Sequence, residues 1–260
     1  MAFMPATQTT SIATHNVDDI FVRDKSLCRD LIGKLTFTEM LYFQILGRMP
    51  TKEQTAVVDA CLVTLMEHGL TPSALAARLI YSSATEAMQG AVAAGLLGVG
   101  SLFVGTMEGC AELLERMLTA KDGSAAEAKR IVDEFRAAKK SLPGFGHPQH
   151  KPDDPRSIVV FDVARRNGLA GKHIEAVQTL GKAVDAAAGK HITINATGAI
   201  AAALGDCGVP AEIMRGFALI CRCAGLVGHI HEEQHKPAMR AIWETSEHAI
   251  AYDGTIPKLK

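Results

Sequence analysis

The sequence predicts an all-α fold. Apolar residues recur at helical spacing along most of the chain, and the stretches between them carry the Thr-, Gly- and Pro-based signals that open and close helices. Composition agrees: 48% of the 260 residues are hydrophobic but only 5% aromatic, so Ala, Leu, Ile, Val and Met must do the packing, as suits close helix–helix contacts. A chain of this length can bury one large core or two closely joined ones.

Each element follows from local pattern. Phe37, Met40, Leu41, Phe43, Ile45 and Leu46 share a face, ending at Gly47 with Pro50 beyond. Thr51 can cap a helix from Lys52 to Glu67 with Val57, Val58, Cys61, Leu62 and Leu65 inward, closed by His68-Gly69. Thr71-Pro72-Ser73 opens a helix through about Tyr81. Two central apolar helices follow, then a mixed-charge helix from about Ser124 to Lys139. Leu142 to Pro148 is a loop by composition, and Lys151 to Pro155 is too rich in Pro and Asp for regular structure. Ile158-Val159-Val160-Phe161 alone reads as a strand, but with no partner strand evident the region Pro155 to Asn167 is expected to be helical. Further helices are expected at 171–188, 194–205, 210–230 and 238–249.

Several function classes are disfavoured. With 27 basic against 28 acidic residues, the chain has no field to draw in nucleic acid. Cys28, Cys61, Cys110, Cys207, Cys221 and Cys223 show no CxxC spacing and read as free thiols in a reducing cytoplasm. Met1 to Thr10 lacks a charged start and an apolar run, so no signal peptide is expected. Ala87 to Met107 carries no charge over about the length that spans a bilayer. Its glycines and the lack of basic or aromatic flanks favour a buried central helix, and no membrane association is expected. The GxxGxG at Gly95, Gly98 and Gly100 follows no strand-like run, so it is no dinucleotide fingerprint.

The loop at Gly144 is more specific. Gly144-Phe145-Gly146-His147, followed nine residues later by Arg156 in Asp154-Pro155-Arg156, resembles the GxGH…DPR signature of citrate synthases. Other stretches agree in order. Phe21 to Pro50 resembles the N-terminal region of that family, and Glu67-His68-Gly69 its histidine-bearing turn. His191 to Gly198 resembles the segment that normally reads Asn-Val-Asp, and Arg222 to Gln234 the R..G…H…Q helix. The chain is much shorter than a full synthase. Its size and pattern are closer to stand-alone citryl-CoA lyases and to the C-terminal module of ATP citrate lyase. The resemblance implies a citrate synthase-like multi-helical fold, with a large helical domain and a small one at roughly 110–205.

Residue roles follow from the same likeness. His147, on a glycine-flanked loop, would exchange the proton of a substrate 3-hydroxyl. Arg156 and Arg222 match carboxylate-binding arginines, Arg240 an arginine supplied across a dimer interface, and His68 a carboxylate or carbonyl contact. Leu142, Gly144, Phe145 and Gly146 would offer main-chain groups to the adenine of coenzyme A (CoA), and Lys151 would lie near its phosphates. Two departures stand out. Phe103 occupies the place of one catalytic histidine, and Thr197, in Asn195-Ala196-Thr197-Gly198, that of the catalytic aspartate. Threonine is too weak an acid or base to replace a carboxylate directly, which favours cleavage over condensation. The departing enolate could take its proton from water, Thr197 or an acid such as Glu108.

The resemblance therefore implies retro-Claisen cleavage of citryl-CoA, or a related 3-hydroxyacyl-CoA, to acetyl-CoA and an oxo acid such as oxaloacetate. A CoA thioester is the expected substrate, alongside an organic acid, with no tightly bound cofactor and no metal. A cytoplasmic homodimer is expected, with pairing into a tetramer left open. Two alternatives remain: a catalytically silent homologue that binds acyl-CoA or an organic acid, and a zinc hydrolase. The second rests on His231-Glu232-Glu233-Gln234-His235, a literal HExxH with His229 and His248 as candidate third ligands. Pro237 suggests that the helix frays at the second histidine of that motif.

Overall fold

A computed structural model describes residues 8–100 and 104–256; Phe103 lies outside them. The fold is helical, as predicted. Its helices are α1 (Phe37–Leu46), α2 (Lys52–Met66), α3 (Pro72–Ser83), α4 (Met88–Leu97), α5 (Thr106–Leu118), α6 (Ser124–Ala137), α7 (Pro155–Arg166), α8 (Lys172–Ala188), α9 (Ala196–Asp206), α10 (Met214–His235) and α11 (Met239–Ala249).

Local chemistry explains the boundaries. Thr36 and Glu39 form a reciprocal capping box at α1, and Gly47 ends that helix in the left-handed region. Thr51 and Gln54 exchange the same pair of bonds at α2 (3.1 and 2.9 Å). The strand-like run at Ile158 is helical because Asp154 caps α7 and Pro155 pre-sets its first turn.

One feature was unforeseen, and two expectations need correction. A small antiparallel sheet, β1 (Ala13–His15), β2 (Ile20–Val22) and β3 (Lys25–Ser26), precedes the helices. Its strands are too short to show alternation, and the only cues are two turns. Asn16 accepts the N–H groups of Asp18 and Asp19, and Arg23 turns the chain at positive φ. The charge-free stretch 87–107 is not one helix either: α4 stops at Leu97 and α5 begins at Thr106. Lastly, α10 runs on to His235, so the second histidine of the HExxH motif does not fray.

Among the described residues, Ala211–His235 is long and apolar enough to cross a membrane by length and composition. The same helix carries buried Arg222 and Glu233 among Phe217, Ala218, Cys221, Leu226 and Ile230, a pattern that suits a protein core.

The chain divides into two compact units, Met1–Cys61 with Met107–Met214, and Leu62–Thr106 with Arg215–Lys260. In the first, α8 packs on α6 and α9, and α7 also packs on α9. Most of α9 is buried, with Ala and Gly dominating, which lets its neighbours come close. Tyr42 and Gln54 both donate to the carbonyl of Cys207 (2.7 and 3.0 Å) at the end of that helix. In the second unit, Ala74, Ala77, Tyr81, Ala91, Leu226 and Ile230 form the core. There α4 lies so close that a Cβ on Gly95 would fall 2.7 Å from Leu226 and 2.8 Å from the Ser73 carbonyl.

A charge cluster centred on the buried side chains of His173 and Asp206 secures the first unit. Asp206 accepts the N–H groups of Gly171, His173 and Ile174 at the start of α8. The His173 ring bridges Asp206 (2.9 Å) and Glu115 (2.7 Å). Burial opposes the charge on His173, but Asp206 and Glu115 outweigh it and raise its pKa. Burial likewise works against the Asp206 carboxylate, yet His173 and the three N–H groups lower its pKa. The pairing therefore contributes fully below the unfolded histidine value of 6.5 and fades as pH rises through the higher folded value. The Asp206 contribution is present above 3.8 and is lost as pH falls through its depressed value. His173→Gln should cost about 1–3 kcal/mol near pH 6 and flatten the fall in stability towards about pH 9, read by urea unfolding at both pH values.

Candidate active site

The loop bearing His147 is fastened to the start of α9. The Gly146 N–H donates to Thr193 (2.8 Å), and the Asn195 N–H to Gly144 (3.0 Å). Asn195 also sends its amide to the Gly146 carbonyl (2.9 Å) and caps α9 by accepting the Gly198 N–H (3.2 Å). The same oxygen takes the hydroxyl of Thr197 (2.7 Å), which places Thr197 in the first turn of α9. The fit is backbone to backbone. Gly144 has φ +86, and a Cβ there would lie 2.6 Å from the Cys110 sulfur, while one on Gly198 would lie 2.5 Å from the Gly144 carbonyl oxygen. Burial pushes the Cys110 thiol up to about 12, so it packs as an inert hydrophobe.

Asp154 organises the other side. It has no exposed surface. One oxygen accepts the N–H and Nε of Arg156 (3.0 Å each), and the other accepts Nη2 of Arg156 (2.8 Å) and the N–H of Ala196 (3.0 Å). Burial would raise this carboxyl, but the Arg156 guanidinium and these N–H donors hold it below the usual carboxylate range. Arg156 is thereby aimed so that Nη2 lies 3.4 Å from Nε2 of His147. His147 Nδ1 accepts the N–H groups of Gln149 (3.1 Å) and His150 (3.0 Å), and the His150 ring stacks on it at 4.3 Å. With Nδ1 used as an acceptor, the proton of the neutral ring resides on Nε2.

Glu108 lies in the first turn of α5, beside Gly109, which packs on Pro143 of the same loop. Lys151 is exposed just beyond that loop. A cavity of about 320 Å³ opens next to the loop, lined by Val132, Phe135, Arg136, Lys140, Leu142 and Val184.

In the second unit, Arg222 is 6% exposed, and its Nε and Nη1 are buried without a hydrogen-bond partner. Such donors are costly to leave unmade, and each can donate to an anionic oxygen on its own edge of the guanidinium. His68 occupies the turn after α2. Arg240 lies on α11 with its side chain 88% exposed and its Nε 2.8 Å from Glu244. In the HExxH stretch both carboxylates turn to Arg78: Glu233 at 2.7 Å, and Glu232 in a second short contact. A glutamate held this way is not available as the base that a zinc hydrolase needs.

Sequence reasoning missed Asp154 as an organiser, and it missed Arg78 and His150. A buried arginine inside the apolar run Ser73-Ala74-Leu75-Ala76-Ala77-Arg78 was the one available signal for the second.

A helical scaffold that carries a Gly-Phe-Gly-His loop against an arginine held by a buried aspartate defines a citrate synthase-like fold. The family description "Citrate synthase, C-terminal domain" matches residues 6–243. Citryl-CoA lyase from Hydrogenobacter thermophilus superposes with TM-score 0.86 at 30% identity, covering 98% of each chain. ATP citrate lyase from Methanosaeta concilii, solved in complex with (3S)-citryl-CoA, shares the fold at TM-score 0.78 and 19% identity over 99% of this chain and 43% of that one. The citrate synthase of Synechocystis sp. is 28% identical over 206 residues, which are 77% of this chain and 50% of that protein. The chain thus spans about half the length of the curated relatives it matches. It belongs to the citrate synthase family.

The backbone fit yields a paired test. Gly146 also has positive φ (+78), but a Cβ there would meet nothing within 4 Å. Gly146→Ala should cost about 1–2 kcal/mol from backbone strain alone, and Gly144→Ala about 2–4 kcal/mol once overlap with Cys110 is added. Chemical denaturation of the two variants side by side measures the difference.

Proposed function

We propose that this chain is a CoA-dependent carbon–carbon lyase that cleaves citryl-CoA, or a close 3-hydroxyacyl-CoA analogue, to acetyl-CoA and an oxo acid such as oxaloacetate. The observation that carries this reading is the match of 98% of each chain with a citryl-CoA lyase, against about half of each synthase. The threonine at position 197, in place of a catalytic carboxylate, points the same way.

In such a cleavage the 3-hydroxyl loses its proton and its oxygen pair closes the ketone. The carbon–carbon bond breaks, its electrons enter the thioester enolate, and the enolate carbon gains a proton. Net, one proton moves from oxygen to carbon. His147 serves the oxygen end through Nε2. Because its neutral ring carries the proton there, it holds the alkoxide and the forming ketone as a donor, with the positive Arg156 beside it, while the hydroxyl proton itself passes to water. Thr197 and Glu108 are the candidates at the carbon end.

Arg222 and His68 take substrate carboxylates, and Arg222 is the stronger of the two because its donors await an acceptor. The loop from Leu142 through Gly144, Phe145 and Gly146, with Lys151 and the cavity lined by Arg136 and Lys140, accepts the nucleotide end of CoA. Residues of roughly 110–205 act as the small domain of the family. We place the protein in the cytoplasm as a homodimer. Helix α11 has no buried residue, and Trp243 on it is 59% exposed, a face that suits a second subunit and would carry Arg240 to it.

One observation favours a second reading. Without a carboxylate at Thr197, the protein could bind acyl-CoA and turn nothing over. Incubation with citryl-CoA and a panel of 3-hydroxyacyl-CoAs, following acetyl-CoA by mass spectrometry, separates the two. Release of acetyl-CoA is expected, and His147→Ala should slow it by about 10²–10⁴-fold. CoA binding without product would favour the silent homologue, and no CoA binding in calorimetry would end both readings.

A further inference from the structure

A chain of polar contacts that starts at a buried arginine in the second unit ends at the turn that carries His68. Arg78 is 3% exposed, and its guanidinium is fully engaged. Nη1 meets Glu233 at 2.7 Å, Nη2 meets Glu232, and Nε donates to Nδ1 of His229 at 3.0 Å. Since Nδ1 accepts, the ring of His229 carries its proton on Nε2, which lies 3.0 Å from the carboxylate of Glu67. Glu67 in turn accepts the N–H groups of His68 (2.7 Å) and Gly69. Burial works against the charge on Glu67, but His229 and these two N–H groups keep its pKa lowered, so the carboxylate persists.

The turn is gripped from a second direction. A Cβ on Gly225 would overlap the Met66 carbonyl oxygen, so α10 lies directly against the end of α2. Arg222, Gly225 and His229 follow at helical spacing and share one face of α10. The helix that presents the unsatisfied Arg222 therefore also fixes the backbone around His68.

We propose that Arg78, His229 and Glu67 are positioning residues that orient His68 for substrate through a guanidinium–imidazole–carboxylate chain. The assignment rests on the reading of His68 as a substrate contact. Only a side chain that accepts from Arg78 and donates to Glu67 preserves the chain. Glutamine does both, because its amide oxygen and nitrogen are separated much as the two ring nitrogens are, whereas leucine does neither.

The test compares His229→Leu with His229→Gln on two readouts. Steady-state cleavage should fall about 10–100-fold in kcat for His229→Leu with KM little changed, and His229→Gln should recover most of the loss. The second readout needs no turnover: nitrogen NMR of labelled histidines should show the His68 ring shifted in His229→Leu and near its wild-type position in His229→Gln. If wild-type protein cleaves no substrate, the functional reading fails, while the ring shift still tests the chain. An unmoved His68 ring in His229→Leu overturns the proposal, as do two variants equal in both readouts.

Discussion

A carboxylate with no exposed surface holds the His147 loop, Arg156 and the start of α9 together. Asp154 receives the N–H, Nε and Nη2 of Arg156 together with the N–H of Ala196. Those four bonds join the first turns of α7 and α9 and leave the guanidinium no freedom to wander from His147. A carboxylate this buried repays its desolvation only when its lone pairs are used, and here each oxygen takes two donors. Removing Asp154 would therefore release an arginine, a helix cap and a helix start together.

How much of this was legible in the sequence depends on whether the code is local. The Gly144-Phe145-Gly146-His147 loop and Asp154-Pro155-Arg156 announce themselves because glycine, proline and a capping aspartate act on their nearest neighbours. The helix at Ile158 is settled by the same local logic, since Asp154 and Pro155 start a helix that the β-branched residues alone do not favour. The polar chain behind His68 has the opposite character. Arg78 finds its partners more than 150 residues later, at His229, Glu232 and Glu233. The apolar run before Arg78 hints at its burial, but no window of sequence names its partners. The N-terminal sheet fails for a third reason: strands of two or three residues are too short for a period of two to be counted.

The chemistry and the packing meet at α9. Its first turn carries Thr197, and a Cβ on Gly198 would press into the Gly144 carbonyl one residue later. An extra anion in that turn would also sit near Asp154, which already bonds the Ala196 N–H. Threonine gives its hydroxyl to Asn195 and adds no charge to the turn that the Asp154 carboxylate also caps.

The two idle donors of Arg222 bear on how long the protein persists. Any anion that binds there in the folded chain and not in the unfolded one shifts the balance toward folding by mass action, by about 2.7 kcal/mol at a hundredfold excess over its dissociation constant. Starved of such an anion, the protein opens more often and is more readily digested by cellular proteases.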